Sequence, residues 1–280
     1  MLYSGAKKEA LTIHEKAVKK YNQTITCVQQ KCENLYITRQ KSVVVIEVIE
    51  GLINGIANTP KEFEHSLTLI KTERIKFHET EAFAAEAYNN AVKSGIGIAV
   101  GVGAGATVAG MAPTAAMWVA TTFGISSTGT AISTLSGAAA TKAALAWLGG
   151  GALKAGGAGM VGGQALLALA GPIGWGITAT TVAGSIFNVS RKNRMISDAI
   201  IEEAKSITIC GAKLDETGLV ITNIHNETAL LLDNVKSQLN RSTQLSGHNY
   251  ASMSDDEQLL LGTLVNNTLS LAEMLNKMVE

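Results

Sequence analysis

The sequence predicts an all-α protein: an elongated bundle of long helices carrying a glycine-rich hydrophobic helical hairpin as an insert. Two contrasts carry that reading. On both flanks apolar residues recur at three- and four-residue steps, the spacing of a helix with one buried face. Between the flanks, residues 94–190 contain only two charged side chains, Lys142 and Lys154, together with 21 of the 28 glycines and all three tryptophans. Proline is scarce and aromatics make up 5% of the chain, which disfavours a β-sandwich. The chain thus divides into three regions: an N-terminal helical arm (1–93), a hydrophobic Gly/Ala-rich membrane-insertion segment (94–190), and a C-terminal helical arm (191–280) that packs with the first.

In the N-terminal arm, Ala17, Tyr21, Ile25, Val28, Cys32 and Leu35 form a single stripe. The run 43–49 is dense enough to pass for a strand. Its continuation through Leu52, Ile53 and Ile56 at helical spacing favours a buried helical turn. Thr59-Pro60-Lys61-Glu62 restarts the helix, with Thr59 as cap, Pro60 at the first helical position and Glu62 completing a capping box. Phe63, Leu67, Ile70, Phe77, Ala84 and Tyr88 mark the face of this second helix, and nothing breaks it before the insert.

Within the insert, 95–125 and 155–189 are uncharged and long enough to cross a bilayer, which takes about 20 apolar residues in a helix. An eleven-residue apolar piece between Lys142 and Lys154 is too short to span and is expected at an interface or a hairpin tip. Gly97, Gly101 and Gly105 lie four apart, and Gly159 repeats the step to Gly163. Such spacing aligns glycines on one helical face and lets a second backbone approach closely, so these residues are candidates for oligomerisation in a membrane. Trp118, Trp147 and Trp175 are candidate membrane-contacting residues. Lys93, Lys142, Lys154, Arg191, Lys192 and Arg194 are the basic residues expected to flank the membrane.

In the C-terminal arm, Ile196, Ile200, Ile207, Leu214, Ile221, Ile224, Thr228, Leu231, Val235 and Leu239 keep close to a seven-residue repeat, which predicts one long packed helix. Gly211 and Gly218 are expected to kink it. Residues 242–254 read as a polar loop. Ser254 through Glu257 then caps a last helix, with Leu260, Leu261, Leu264, Val265, Leu275 and Met278 as its apolar side.

No catalytic, metal or cofactor constellation is expected, and the chain does not read as an enzyme. The formal net charge is zero, so no nucleic-acid partner is implied. The glycines at 101, 103 and 105 imitate a dinucleotide fingerprint, but the acidic residue that fold needs about 20 positions later is missing. Residues 137–142 imitate a phosphate loop without the glycine before its lysine. His14, His65 and His78 are expected on solvated helix surfaces. Cys27 and Cys32, five apart, are open to a core or a reactive role, with core preferred. Three cysteines without CxxC fit reduced thiols. The N-terminal stretch has no apolar h-region, which predicts cytoplasmic synthesis without a cleavable signal peptide; the active form is expected at a membrane, and if the protein leaves the cell a dedicated machine or lysis has to release it.

The pieces Ser-Thr-Leu-Ser-Gly-Ala-Ala-Ala-Thr at 133–141, Ala-Trp-Leu-Gly-Gly-Gly at 146–151 and Leu-Leu-Ala-Leu-Ala-Gly-Pro-Ile-Gly-Trp at 166–175 resemble a segment of uncharacterised bacterial proteins. The layout of the whole chain is similar to that of α-helical pore-forming toxins, secretion-system translocators and apolipoprotein L-like proteins. That resemblance implies a soluble bundle that hides a hairpin and later inserts it, and it carries over no individual site. The expected function is therefore membrane action, with a lipid bilayer and further copies of the chain, or a companion protein, as partners. A non-enzymatic scaffold whose insert is a permanent core or subunit contact is the second reading. A constitutive integral membrane protein is the third.

Overall fold

The computed structural model describes residues 2–93, 113–124, 126, 130–148 and 192–278; for some helical residues among these only the backbone is described. The protein is an all-α helical bundle. Among the described residues the helices are α1 (Leu2–Asn54), α2 (Lys61–Lys93), α3 (Pro113–Phe123), α4 (Gly137–Leu148), α5 (Lys192–Ser242) and α6 (Asp255–Met274), with short 3-10 turns at Ile132–Thr134, Thr243–Leu245 and Tyr250–Ser252. The stretch 43–49 lies inside α1, so the helical reading of that dense apolar run holds. Two compact units divide the chain. The first comprises Met1–Gln30 with Phe83–Leu219, and the second Lys31–Ala82 with Val220–Glu280.

The second unit is built from two helical hairpins. On its part of α1, Cys32, Leu35, Arg39, Ser42, Ile46, Ile49 and Ile53 alternate at steps of three and four, and all are buried. On α2 the buried residues Phe63, Ile70 and Phe77 are seven apart. These are the seams of helices packed side by side, because a seven-residue repeat keeps one stripe facing its neighbour over many turns. Arg74 of α2 donates to Glu47 Oε1 at 2.8 Å and Glu50 Oε2 at 2.9 Å, and Tyr36 reaches Glu81, so α1 and α2 run antiparallel. Asn267 of α6 donates to Gln238 of α5 at 3.2 Å, which makes the second antiparallel pair.

The two connecting loops clasp each other. Ala57 N donates to His248 O at 3.0 Å, Tyr250 N donates to Ala57 O at 2.8 Å, and the Asn58 amide reaches Asn249 Oδ1 at 3.1 Å. Asn58 adopts φ +56°, a left-handed conformation that asparagine tolerates better than most side chains. Phe63 and Tyr250 meet edge to face beneath this clasp, ring centroids 5.6 Å apart.

In the first unit α1 and α5 run parallel, with His14 beside Glu203 and Val18 and Tyr21 packed with Ile207. Gly211 lies on this interface. The helix passes unbroken through both Gly211 and Gly218. Gly211 is a seam position: a Cβ built there would lie 3.6 Å from Tyr21 Cδ2, so the small residue faces a bulky ring across the interface.

Two expectations change. The helix α2 begins at Lys61, which places Pro60 before the first helical residue, and Phe63 N donates to Pro60 O at 2.9 Å. Met278 lies beyond the end of α6 and is exposed, whereas Leu261, Leu264, Val265 and Leu275 are buried as the pattern predicts.

Candidate functional site

The insert is described at its α3–α4 portion. Pro113 opens α3, where its fixed φ and missing N–H are harmless. From there every residue of 117–124 is buried, so the helix is enclosed on all sides rather than along one stripe. A helix that is apolar all round has to be enclosed in this way. Trp118 is 1% exposed and packs edge to face on Phe123, ring centroids 5.7 Å apart. Thr121 donates back to Met117 O at 2.8 Å, which keeps its hydroxyl satisfied within the helix. Thr122 Oγ1 is buried without a hydrogen-bond partner.

Gly124 ends α3 and turns the chain. Its N–H donates to Ala120 O at 2.9 Å, and its carbonyl accepts from Ile132 N at 2.9 Å. A Cβ at this position would collide with Ala120 O and stand 2.7 Å from Ile132 Cδ1. The position therefore demands glycine. Ser126 and Thr130 tie the turn together, Ser126 N donating to Thr130 O at 2.8 Å and Thr130 N to Ser126 Oγ at 3.1 Å. The Ile132–Thr134 turn and α4 pack back against α3, with Ile132, Ala140, Thr141 and Ala144 buried while Lys142 is exposed.

Of the expected site residues, the side chains of Trp118 and Lys142 are described. Trp118 is an interior residue, and Lys142 is solvent-facing on α4. Trp147 lies in α4, Lys93 ends α2, and Lys192 and Arg194 lie in the first turn of α5; their side chains are not among those described. Gly97, Gly101, Gly105, Gly159, Gly163, Trp175, Lys154 and Arg191 lie outside the described residues, as do the rest of the spans 95–125 and 155–189 beyond the α3 portion. Among the described residues no helix is long and apolar enough to cross a membrane; α3 has 11 residues.

A second concentration of chemistry has no counterpart among the sequence motifs. In the second unit, polar side chains from α1, α2 and α5 gather at one level, joined by a main-chain carbonyl from just beyond α6. Tyr36 donates to Glu81 Oε1 at 2.8 Å, Gln40 bridges the two, and His78 Nδ1 lies 3.1 Å from Glu81 Oε2. Burial, reinforced by the Glu81 carboxylate, pushes the Tyr36 hydroxyl above its usual range. Thr38 Oγ1 is 3.2 Å from His225 Nε2 on α5. Arg39 is fully buried and donates from Nη2 to Lys277 O at 2.6 Å. Burial pushes its pKa down to about 9, which leaves it charged at neutral pH.

Neighbouring Cys32 is pushed up to about 12 by burial, so it is an inert core thiol; Cys27 is exposed. His65 and His78 are exposed as expected, but His14 is half-buried against Glu203 at 3.6 Å. The described residues contain no group of three or more His, Cys, Asp or Glu that could hold a metal ion. The polar level depends on register between helices far apart in sequence, and no local motif announces it. No family model, no curated protein and no solved structure matches this chain.

Proposed function

We propose that the protein is membrane-active: it keeps an apolar segment sheltered in this form and releases that segment into a bilayer, where it oligomerises through its glycine faces. The observation that supports this reading is the complete enclosure of residues 117–124, part of a 97-residue stretch with two charges, in a chain whose arms are charged and amphipathic. Uncharged helical spans are stable in lipid and have to be covered in water. Closely spaced glycines supply the backbone contact that helices need in lipid, where the hydrophobic effect no longer drives them together.

The test is dye release from sealed liposomes on addition of the purified full-length chain. Leakage with crosslinkable oligomers is the expected result. Gly101→Leu should then leave vesicle binding intact and abolish leakage and oligomers, because it blocks the glycine face while keeping the segment apolar. Binding and leakage both absent over a range of lipid compositions would overturn the reading.

A scaffold reading has its own support. The obligate glycine at 124 and the Trp118–Phe123 contact are features of a specifically packed interior. It expects an intact, non-lytic protein that self-associates without lipid.

A further inference from the structure

We propose that residues 275–278, just beyond α6, form a detachable strap that closes the second unit. Two consecutive residues there reach three different helices. Asn276 Nδ2 donates to Glu73 O and to Glu73 Oε2, each at 2.8 Å, and so binds α2. Lys277 Nζ donates to Glu227 Oε2 of α5 at 3.0 Å. The Lys277 main-chain carbonyl accepts from the buried Arg39 of α1 at 2.6 Å.

The Arg39 contact gives the strap its leverage. Arg39 occupies a seam position of α1 between Leu35 and Ser42, where a charge is costly unless a strong acceptor meets it. A carbonyl delivered by the strap meets the Nη2 donor of that cation inside the seam, and that carbonyl leaves when the strap leaves. The Asn276 anchor on Glu73 is partly buried, and the Lys277 anchor on Glu227 is of a different kind. Lys277 and Glu227 are about half exposed, and such surface pairs hold weakly and are screened by salt. Lys277 and Met278 are themselves exposed, while Leu275, one turn earlier, is buried. The strap thus joins a buried anchor at Leu275 to outer contacts that solvent or a competing binder can reach. Detachment would uncover Arg39 at the polar level and loosen α1 from α2 there. The loop clasp formed by Ala57, Asn58 and Asn249 at the other end of the hairpins would stay closed.

Hydrogen exchange on the full-length chain and on a chain ending at Leu275 tests this. The expected result is at least tenfold faster exchange in residues 36–43 and 70–78, with residues 255–262 and the loop clasp unchanged. In the otherwise intact chain, the double variant N276A/K277A should give the same pattern, smaller because the carbonyl remains. Raising salt should enhance exchange at 36–43 in wild type and have less effect in the double variant. Uniform acceleration everywhere, or none, would overturn the proposal. So would failure of the shortened chain to fold alongside a double variant that exchanges like wild type, since the segment would then be core and not a strap.

Discussion

Two buried positions in α3 and its turn show how narrowly single residues are specified. At Gly124 the added Cβ meets a backbone oxygen and the Ile132 side chain, neither of which can move without disturbing the α3–α4 packing. Gly124→Ala should therefore destabilise the protein by about 1–3 kcal/mol, the usual cost of overpacking, read as a lowered Tm. Gly51 provides the control. It lies in α1 with nothing within 4 Å of a built Cβ, so Gly51→Ala should stabilise by about 0.5–1 kcal/mol. Thr122 poses the opposite problem, a hydroxyl buried with no partner. Thr122→Val removes the unmet group at nearly constant size and should raise stability by about 1 kcal/mol, measured by denaturant unfolding. Glu203 supplies the pH dependence. The His14 imidazole beside it holds its carboxyl below the ordinary value of 4.5. Its stabilising contribution is therefore present above that value and is lost as pH falls through the lowered folded-state pKa. His14→Ala should return Glu203 toward the ordinary range, an upward shift visible in a carboxyl-carbon NMR titration.

At the scale of elements, the legible features are those written in consecutive residues. Ser254 accepts from Glu257 N, and the Glu257 carboxylate accepts from Ser254 N at 2.9 Å; the sequence Ser-Asp-Asp-Glu states both halves of that capping box. Ser254→Ala should cost about 1 kcal/mol and fray the first turn of α6, detectable as faster exchange at residues 255–258. The heptad seams of α2 and α5 are readable for the same reason, since one helix carries its own period. Where sequence and structure part, a second element is usually the cause. Gly211 reads in sequence as a kink position, and the Tyr21 ring that it faces across the interface is supplied by another helix. His14 has a polar, exposed-looking neighbourhood in sequence, and its burial comes from α5. Arg39 interrupts an apolar seam and would be read as a surface residue; its Nη2 meets the carbonyl of Lys277, which lies far away in sequence. Met278 continues the period of α6, but the helix stops at Met274 and its period loses force past that end.

The whole chain combines charged, amphipathic helical arms with a long apolar insert. The second unit comprises Lys31–Ala82 and Val220–Glu280, a division that assigns residues 94–190 to the first unit. Its seams bury Leu35, Ile46, Ile49, Ile53, Ile70, Phe77, Ile221, Leu261 and Leu264, and its loops and helix ends are tied by their own hydrogen bonds. A chain in which residues 1–93 are joined to 191–280 by a short flexible linker should therefore keep this unit. The expected product is strongly helical by circular dichroism, unfolds cooperatively, and retains the exchange protection of residues 46–53 and 261–271 seen in the full chain. The first unit should behave differently, because the same deletion removes α3 and α4 from it: residues 8–28 and 197–215 should lose protection. A product unfolded throughout would mean that the insert is the structural core of both units, and the membrane reading would give way to the scaffold.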